Sequence, residues 1–449
     1  MLKRKMLDKL IAWKQKAGGR EALLIEGARR VGKSTIVEEF GRTQYKSYIL
    51  IDFTRLPRDV RDIFENQRDD FDTFFMLLSA YYRKRLYERE SLIIFDEVQR
   101  YPAARELIKY LVADGRYDYV ETGSLISIKR NVANIVIPSE ERKMDMGPLD
   151  FEEFCWAMGE ELLAETIRKS FERLVPLPDA LHKRAMRLWR EYLLVGGMPD
   201  AVNAYVQDKN IRSVREIQSE IHEYYAADAS KYEADRRLTI RRIYDMIPSN
   251  MENKKKRIVV QNIENKRGKT FRDYQEEFEY LINAGVVSSV QAISNPVFPL
   301  IESAGKNLLK LYLNDVGILT GILYGNNIRA ILDDQPSVNL GSVYETVVAN
   351  ELKAHGYKLF YYDNRSKGEV DYLIDDYNSL STVPIEVKSG KDYSIHSALN
   401  HFVNNEDYHI KKAFVLSNER TVQQKEKKGT RQNQPRCPAV LPTQRCVRF

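Results

Sequence analysis

Cysteine is scarce in this chain, and its scarcity closes off two classes of protein. Three cysteines in 449 residues, Cys155, Cys437 and Cys446, form neither a disulfide framework nor the paired spacing of a zinc site. They suit a reducing compartment. Long apolar runs are missing as well. No stretch approaches the length of a membrane span, and no apolar signal segment follows Lys3-Arg4-Lys5. The expectation is a soluble, cytoplasmic protein with no membrane partner. A basic body is also absent. The formal net charge is +6, but from Thr421 onward seven Lys or Arg face only Glu426, so residues 1–420 sum to zero. Bulk charge therefore does not argue for a nucleic-acid-binding body, although local patches can still do so. What the chain does have is apolar content for packed cores, 43%, and length for about three domains.

The most informative stretch is Gly27-Ala28-Arg29-Arg30-Val31-Gly32-Lys33-Ser34-Thr35. An apolar run, Ala22 to Ile25, precedes it, and Ile36-Val37-Glu38-Glu39-Phe40 continues as a helix. Strand, glycine-bounded loop and helix in that order are a P-loop, the Walker A element. Backbone N–H groups of the loop and the start of the helix cradle phosphate oxygens, and Lys33 adds a full positive charge. Ser34 is placed to ligate Mg²⁺. Upstream, Leu2, Met6, Leu10 and Trp13 recur at helical spacing and predict an amphipathic helix that packs on this domain.

Leu92-Ile93-Ile94-Phe95 predicts a strand buried on both faces, ending in Asp96-Glu97. Open α/β sheets bind ligands at that end. This is a Walker B reading, with Asp96 on the Mg²⁺ ion and Glu97 orienting the attacking water. A helix from Pro102 and a strand from Tyr117 to Glu121 follow. The hydroxyls of Thr122-Gly123-Ser124 either face the γ-phosphate or close a turn.

These residues, together with Glu121-Thr122-Gly123-Ser124-Leu125-Ile126-Ser127 and Pro148-Leu149-Asp150-Phe151-Glu152-Glu153-Phe154, make the chain resemble the prokaryotic AAA+-type ATPases with an uncharacterised, nuclease-like C-terminal half. The resemblance spans roughly residues 1–420. It implies a multidomain α/β protein: a P-loop ATPase parallel sheet, a helical lid and winged-helix-like middle, and a restriction-endonuclease-like C-terminal domain. It also implies ATP with Mg²⁺ as cofactors, hydrolysis of ATP, and an arginine directed at the γ-phosphate from the same chain or from a second subunit of a homo-oligomer. Arg105, Arg116 and Arg142 are the candidates. Arg30 departs from the Gln expected at its position.

From Phe151 to about Asp235 the pattern is helical, broken at Pro176, Pro178 and Gly196-Gly197-Met198-Pro199. Arg236–Glu252 and Phe271–Asn283 predict two more helices. Val286-Val287-Ser288-Ser289-Val290 and Leu308-Leu309-Lys310-Leu311-Tyr312-Leu313 then predict a hairpin, which suggests a winged helix. Lys254-Lys255-Lys256-Arg257, with Lys266, Arg267 and Lys269, either meets DNA phosphates or is a solvated loop.

A second chemical pattern follows. Glu345 lies on a predicted helix, Asp371 on the strand Gly368–Ile374, and Glu386 with Lys388 on Pro384–Ser389. Helix Glu, strand Asp and strand Glu-x-Lys are the PD-(D/E)xK arrangement of metal-dependent nucleases. Carboxylate oxygens suit a hard divalent cation, and the lysine positions or deprotonates a water. Glu345, Asp371 and Glu386 are thus the metal ligands, and Lys388 is the catalytic partner. His396 begins the next helix and either faces the site or the surface. After Thr421 the pattern lacks any period.

The domain expectation is therefore ATPase 1–160, lid and winged-helix-like region 161–335, nuclease-like domain 336–420, and a basic disordered tail 421–449. DNA is the expected macromolecular partner. The rival functions are a nucleotide-dependent scaffold and an ATP-switched winged-helix DNA binder.

Overall fold

The computed structural model describes residues 1–124, 139–229, 236–253, 256–264, 268–304, 308–333, 340–364, 368–389, 397–418, 420 and 445–447. They divide into two compact units: Met1–Gly147 with Asn283–Gly285, and Pro148–Ile282 with Val286–Phe449. Among the sequence-derived features, Leu125–Ser127, Lys254, Lys255, Lys266, Arg267 and His396 lie outside the described residues.

The first unit is built on five parallel strands, β1 (Ala22–Glu26), β2 (Ser47–Asp52), β3 (Ser91–Asp96), β4 (Asp118–Gly123) and β5 (Glu141–Asp145), in the order β2-β3-β4-β1-β5. β3 is buried along its whole length, which accounts for its unbroken apolar run rather than an alternating one. β1 and β3, which carry the motifs read from sequence as Walker A and Walker B, are separated by β4, so the loops at their ends leave room for a ligand between them. On one face of the sheet, Phe53, Phe64, Phe74, Phe75, Phe95 and Tyr119 pack into an aromatic core. The N-terminal helix Lys5–Ala17 buries Met6, Leu10, Trp13 and Ala17, the stripe expected from its spacing. Trp13 packs on Phe40 of the helix Lys33–Gln44, with ring centroids 6.3 Å apart.

The second unit holds seven strands: β6 (Val287–Ile293), β7 (Leu309–Leu313), β8 (Phe360–Asn364), β9 (Gly368–Asp376), β10 (Ser381–Val387), β11 (Ala413–Leu416) and β12 (Arg445–Val447). Their order is β12-β11-β10-β9-β8-β6-β7, with mixed directions. This changes the sequence reading in three places. The β6–β7 hairpin forms but is not a free-standing wing, because Gln291, Ala292 and Ile293 of β6 pair in parallel with Phe360, Tyr361 and Tyr362 of β8. A boundary at residue 335 would therefore cut through one continuous sheet. Of the tail, expected to lack structure, the described residues Arg445–Val447 form an edge strand, with Cys446 opposite Phe414. Finally, the helical segment from residue 148 to 282, including Phe151–Ala157, is compact with this sheet.

The turn at Gly196–Gly197 shows how the helical part is fixed. Asp315 caps the helix Val316–Tyr324 by accepting from Ile318 N–H and also accepts from Gly197 N–H at 2.6 Å. A Cβ on Gly197 would lie 2.0 Å from the Leu149 carbonyl oxygen, so only glycine admits this approach. Burial raises the Asp315 carboxyl to about 6, while the backbone N–H groups it accepts from pull it down. Buried Arg215 donates to the carbonyls of Leu194, Gly317 and Gly325, tying together the ends of the helices Asp179–Val195 and Val316–Tyr324. No helix among the described residues is long and apolar enough to cross a membrane.

Candidate functional sites

The loop from Gly27 to Gly32 leaves β1 and turns at once into the helix Lys33–Gln44. A Cβ on Gly27 would sit 2.1 Å from the Met146 carbonyl oxygen, so the backbone path there requires glycine. Ala28 and Val31 are buried anchors, while Arg30 and Thr35 are exposed. Arg4, immediately before the N-terminal helix, donates to Val31 O at 3.0 Å and to Gly147 O at 2.7 Å. A guanidinium from the N-terminal segment therefore braces the phosphate loop, and sequence reasoning missed it. Its signal was faint: one arginine among three basic residues.

Lys33 is buried and folds back onto the carbonyls of Gly27 (3.0 Å) and Ala28 (2.8 Å). Burial lowers its ammonium to about 8, opposed by the charges of Glu97 and Asp96. Ser34 Oγ donates to Asp96 Oδ1 at 2.7 Å, and Thr122 Oγ1 donates to the same oxygen. The Thr122 hydroxyl also accepts from Glu97 N–H at 3.1 Å. Ser124 Oγ is 3.2 Å from Gln99 Nε2 and 3.4 Å from Glu97 Oε2. The strand-end hydroxyls thus hold both carboxylates rather than close an isolated turn. Glu97 stands in the left-handed region, φ 56°, a strained setting for a residue with a Cβ and one that recurs at functional sites.

In the second unit, Glu345, Asp371, Glu386 and Lys388 come together around the helix Gly341–Ala354, β9 and β10. Ile385 opposite Tyr372 sets the register that brings Asp371 beside Glu386. Asp371 accepts from Val387 N–H at 2.8 Å, and Lys388 donates to Glu386 at 2.6 Å. Burial, then Glu386 and Glu345, raise the Asp371 carboxyl well above its ordinary range. Burial also raises Glu386, against the pull of Lys388.

Strict alternation along β9 does not hold. Phe360 is opposite Leu373 but Tyr362 is opposite Val370, so β9 carries one extra residue at Asp371–Tyr372. Val370 and Leu373 both pack in the core with Phe402 and Val403. The Tyr372 hydroxyl reaches the Glu345 carbonyl oxygen at 2.8 Å.

Three residues of this cluster were not assigned to it from sequence. Lys256 pairs with Glu345, Lys310 pairs with Glu369, and Tyr312 donates to Glu345 Oε2 at 3.1 Å. Lys310 is buried in β7 and lies 4.8 Å from the Tyr361 ring centroid. Arg257 pairs with Asp363 at 3.3 Å. The described part of the basic run, read as a DNA contact or a solvated loop, is therefore engaged in internal ion pairs.

Residues 19–155 match the family model described as an AAA domain. The first unit is an ATPase-like P-loop domain. Two further matches are to domains of unknown function, DUF8612 over residues 186–327 and DUF4143 over residues 340–435. Among solved structures, the Walker-type ATPase of Pyrococcus abyssi is 13% identical, with 71% of this chain and 95% of that one covered and a TM-score of 0.41. The Aeropyrum pernix ORC1 protein in complex with DNA is 11% identical, covering 74% and 94%, TM-score 0.27. The Thermotoga maritima RuvB Holliday junction branch migration motor is 16% identical, covering 64% and 89%, TM-score 0.26. Likenesses this distant assign nothing further to the chain. No curated protein matches it.

Of the three arginines considered for the γ-phosphate, two are already committed within the ATPase-like domain. Arg105 makes a two-point ion pair with Glu141, their side chains 3% and 0% exposed. Arg116 binds Asp114 and Asp72 at 2.8 and 2.7 Å. Arg142 lies 3.6 Å from Glu21 on a more open surface. Glu121 shares the Arg105 environment, and burial, then Glu141, push its carboxyl well up. Arg105→Met should cost about 3–5 kcal/mol in urea unfolding, because it leaves Glu141 buried and unpaired. Adding Glu141→Leu should recover most of that loss.

Among the described residues, one trio of metal-ligating types has its ligand atoms within 4.8 Å of one another: Asp150, Glu351 and His355. Helix capping accounts for it. Asp150 accepts from Glu153 N–H at 2.9 Å, Glu351 accepts from Phe151 N–H at 2.8 Å, and His355 Nδ1 lies 2.8 Å from Glu351 O.

Proposed function

We propose that this protein binds ATP with Mg²⁺ at Gly27–Thr35 and hydrolyses it, and that its second unit carries a metal-dependent, nuclease-type site acting on DNA. The observation that carries the ATPase reading is the 2.7 Å bond from Ser34 Oγ to Asp96 Oδ1, with Glu97 next in the chain. A hydroxyl from the phosphate loop and a carboxylate from β3 converge there, a hard oxygen pair that fits Mg²⁺. When bound, the cation would neutralise phosphate charge. Lys33 would leave the Gly27 and Ala28 carbonyls for the β- and γ-phosphates, and the loop N–H groups would fix the remaining oxygens. Glu97, held by Gln99 and Ser124, would accept a proton from the attacking water and orient it along the line of displacement. Arg142 is the most open of the three considered arginines, its side chain 43% exposed, but it lies opposite Leu23, at the end of β1 away from the phosphate loop, which leaves it only a role toward the γ-phosphate of a neighbouring subunit.

The nuclease-type reading draws support from the donor set. Glu386 Oε2 is buried with no hydrogen-bond partner among the described residues, and Glu345 and Asp371 are its electrostatic neighbours. These oxygens fit a divalent cation, which would polarise a phosphodiester. Lys388 would hold the water that attacks it.

The test is nicking of supercoiled plasmid with Mg²⁺ or Mn²⁺, with and without ATP. Cleavage by the native chain should vanish in Asp371→Ala and in Lys388→Ala. Absence of cleavage under every nucleotide condition would leave the second unit as a regulator or scaffold, a reading favoured by the lysines already paired with its carboxylates. The ATP-switched DNA binder draws less support, since Lys256 and Arg257 are engaged with Glu345 and Asp363.

A further inference from the structure

Both carboxylate oxygens of Glu345 already have protein partners: Lys256 Nζ on Oε1 and the Tyr312 hydroxyl on Oε2. The lysine is drawn in from a distance. It lies 89 positions before Glu345, on the irregular stretch that follows the helix Arg237–Glu252. Its neighbours pin that stretch to the sheet: Arg257 on Asp363, and Ile258 N–H on the Leu309 carbonyl at 2.9 Å. The other two lysines of the cluster have different origins. Lys310 is part of β7 and Lys388 follows β10 directly, so sheet register fixes both. Lys256 alone of the three is delivered by a loop. It is 16% exposed, against 9% for the carboxylate it covers.

A divalent cation and an ammonium cannot both claim Glu345 cheaply, since two like charges a few ångströms apart repel strongly where water is scarce. Two of the three carboxylates instead have an ammonium of their own, Lys256 on Glu345 and Lys388 on Glu386, while Asp371 accepts a backbone N–H.

We propose that Lys256 is a tethered counter-ion that occupies Glu345 in place of the metal, so that a divalent cation is admitted only when Lys256 withdraws. The proposal rests on the nuclease-type reading of this cluster.

The test is Mn²⁺ binding to the full chain without nucleotide, by titration calorimetry and by the Mn²⁺-induced rise in melting temperature. Asp371→Asn identifies the part of the signal that belongs to this site. Lys256→Met should bind Mn²⁺ about tenfold more tightly than the native chain and show the larger rise in melting temperature. Lys256→Arg, which keeps the charge, should stay near native. If the methionine variant fails to fold, Lys256→Gln provides the same comparison. Binding that depends on Asp371 but is equal or weaker without the Lys256 charge would overturn the counter-ion and leave the metal site standing. Absence of Asp371-dependent binding in every variant would overturn both.

Discussion

Lys33→Ala is expected to remove nucleotide binding from the protein, with affinity for a fluorescent ATP analogue falling about 100-fold or more, as the loss of two charge-assisted bonds to phosphate requires. The setting of the ammonium explains why the effect should be large. The Lys33 ammonium is buried and, among the described residues, held by the Gly27 and Ala28 carbonyls, so its desolvation has been met in advance and its charge is aimed into the loop. Affinity of the alanine variant within threefold of native would refute the assignment.

The same residue sets a pH dependence. Its ammonium lies near 8 rather than 10.5, chiefly because of burial. Phosphate charge favours the protonated form, so binding above about pH 8 must take up a proton. ATP affinity should therefore be flat below about pH 7 and fall by up to about tenfold per unit above pH 8. Calorimetry in two buffers of different ionisation enthalpy measures that proton directly. Lys33→Arg should show no such uptake.

Glu97→Gln should separate binding from turnover. The amide keeps the size of the side chain but cannot accept a proton, so phosphate release should fall about 100- to 1,000-fold with ATP affinity nearly unchanged. Asp96→Asn should weaken the Mg²⁺ dependence of binding instead, since Asp96 is the residue bonded to Ser34. Equal loss of binding in both variants would mean that the two carboxylates do not divide the work as proposed.

Some of this architecture was readable because its determinants are local. A P-loop is nine consecutive residues, and the order of apolar strand, loop and helix around it fixes its geometry. Asp96 and Glu97 were legible for the same reason, as the end of a strand too apolar to be exposed on either face. The Glu345, Asp371, Glu386 and Lys388 pattern was legible as types in order, although order alone did not say how the charges are compensated. Lys256 was misassigned because nothing near it in sequence points to Glu345; only the folded chain brings them together. Arg4 is similar, with its partner Gly147 143 positions away. Lys310 did leave a signal. A single ammonium inside Leu309-Lys310-Leu311-Tyr312-Leu313 is costly to bury without an anion, and that cost was itself an argument for a nearby carboxylate. The hairpin was read correctly as a hairpin. Its pairing with β8 was not, because a parallel neighbour dozens of residues away leaves no mark on either strand.

The extra residue in β9 has a consequence for how this protein can vary. Val370 and Leu373 must both face the core shared with Phe402, while Asp371 and Tyr372 serve the side occupied by Glu345. Removing or adding one position between 370 and 373 would rotate either the apolar pair or the polar pair to the wrong side. Chain length is therefore frozen across these four positions, whereas the exposed turn at Tyr377–Leu380 is free to lengthen. In evolutionary terms, this strand can drift by substitution but not by insertion or deletion.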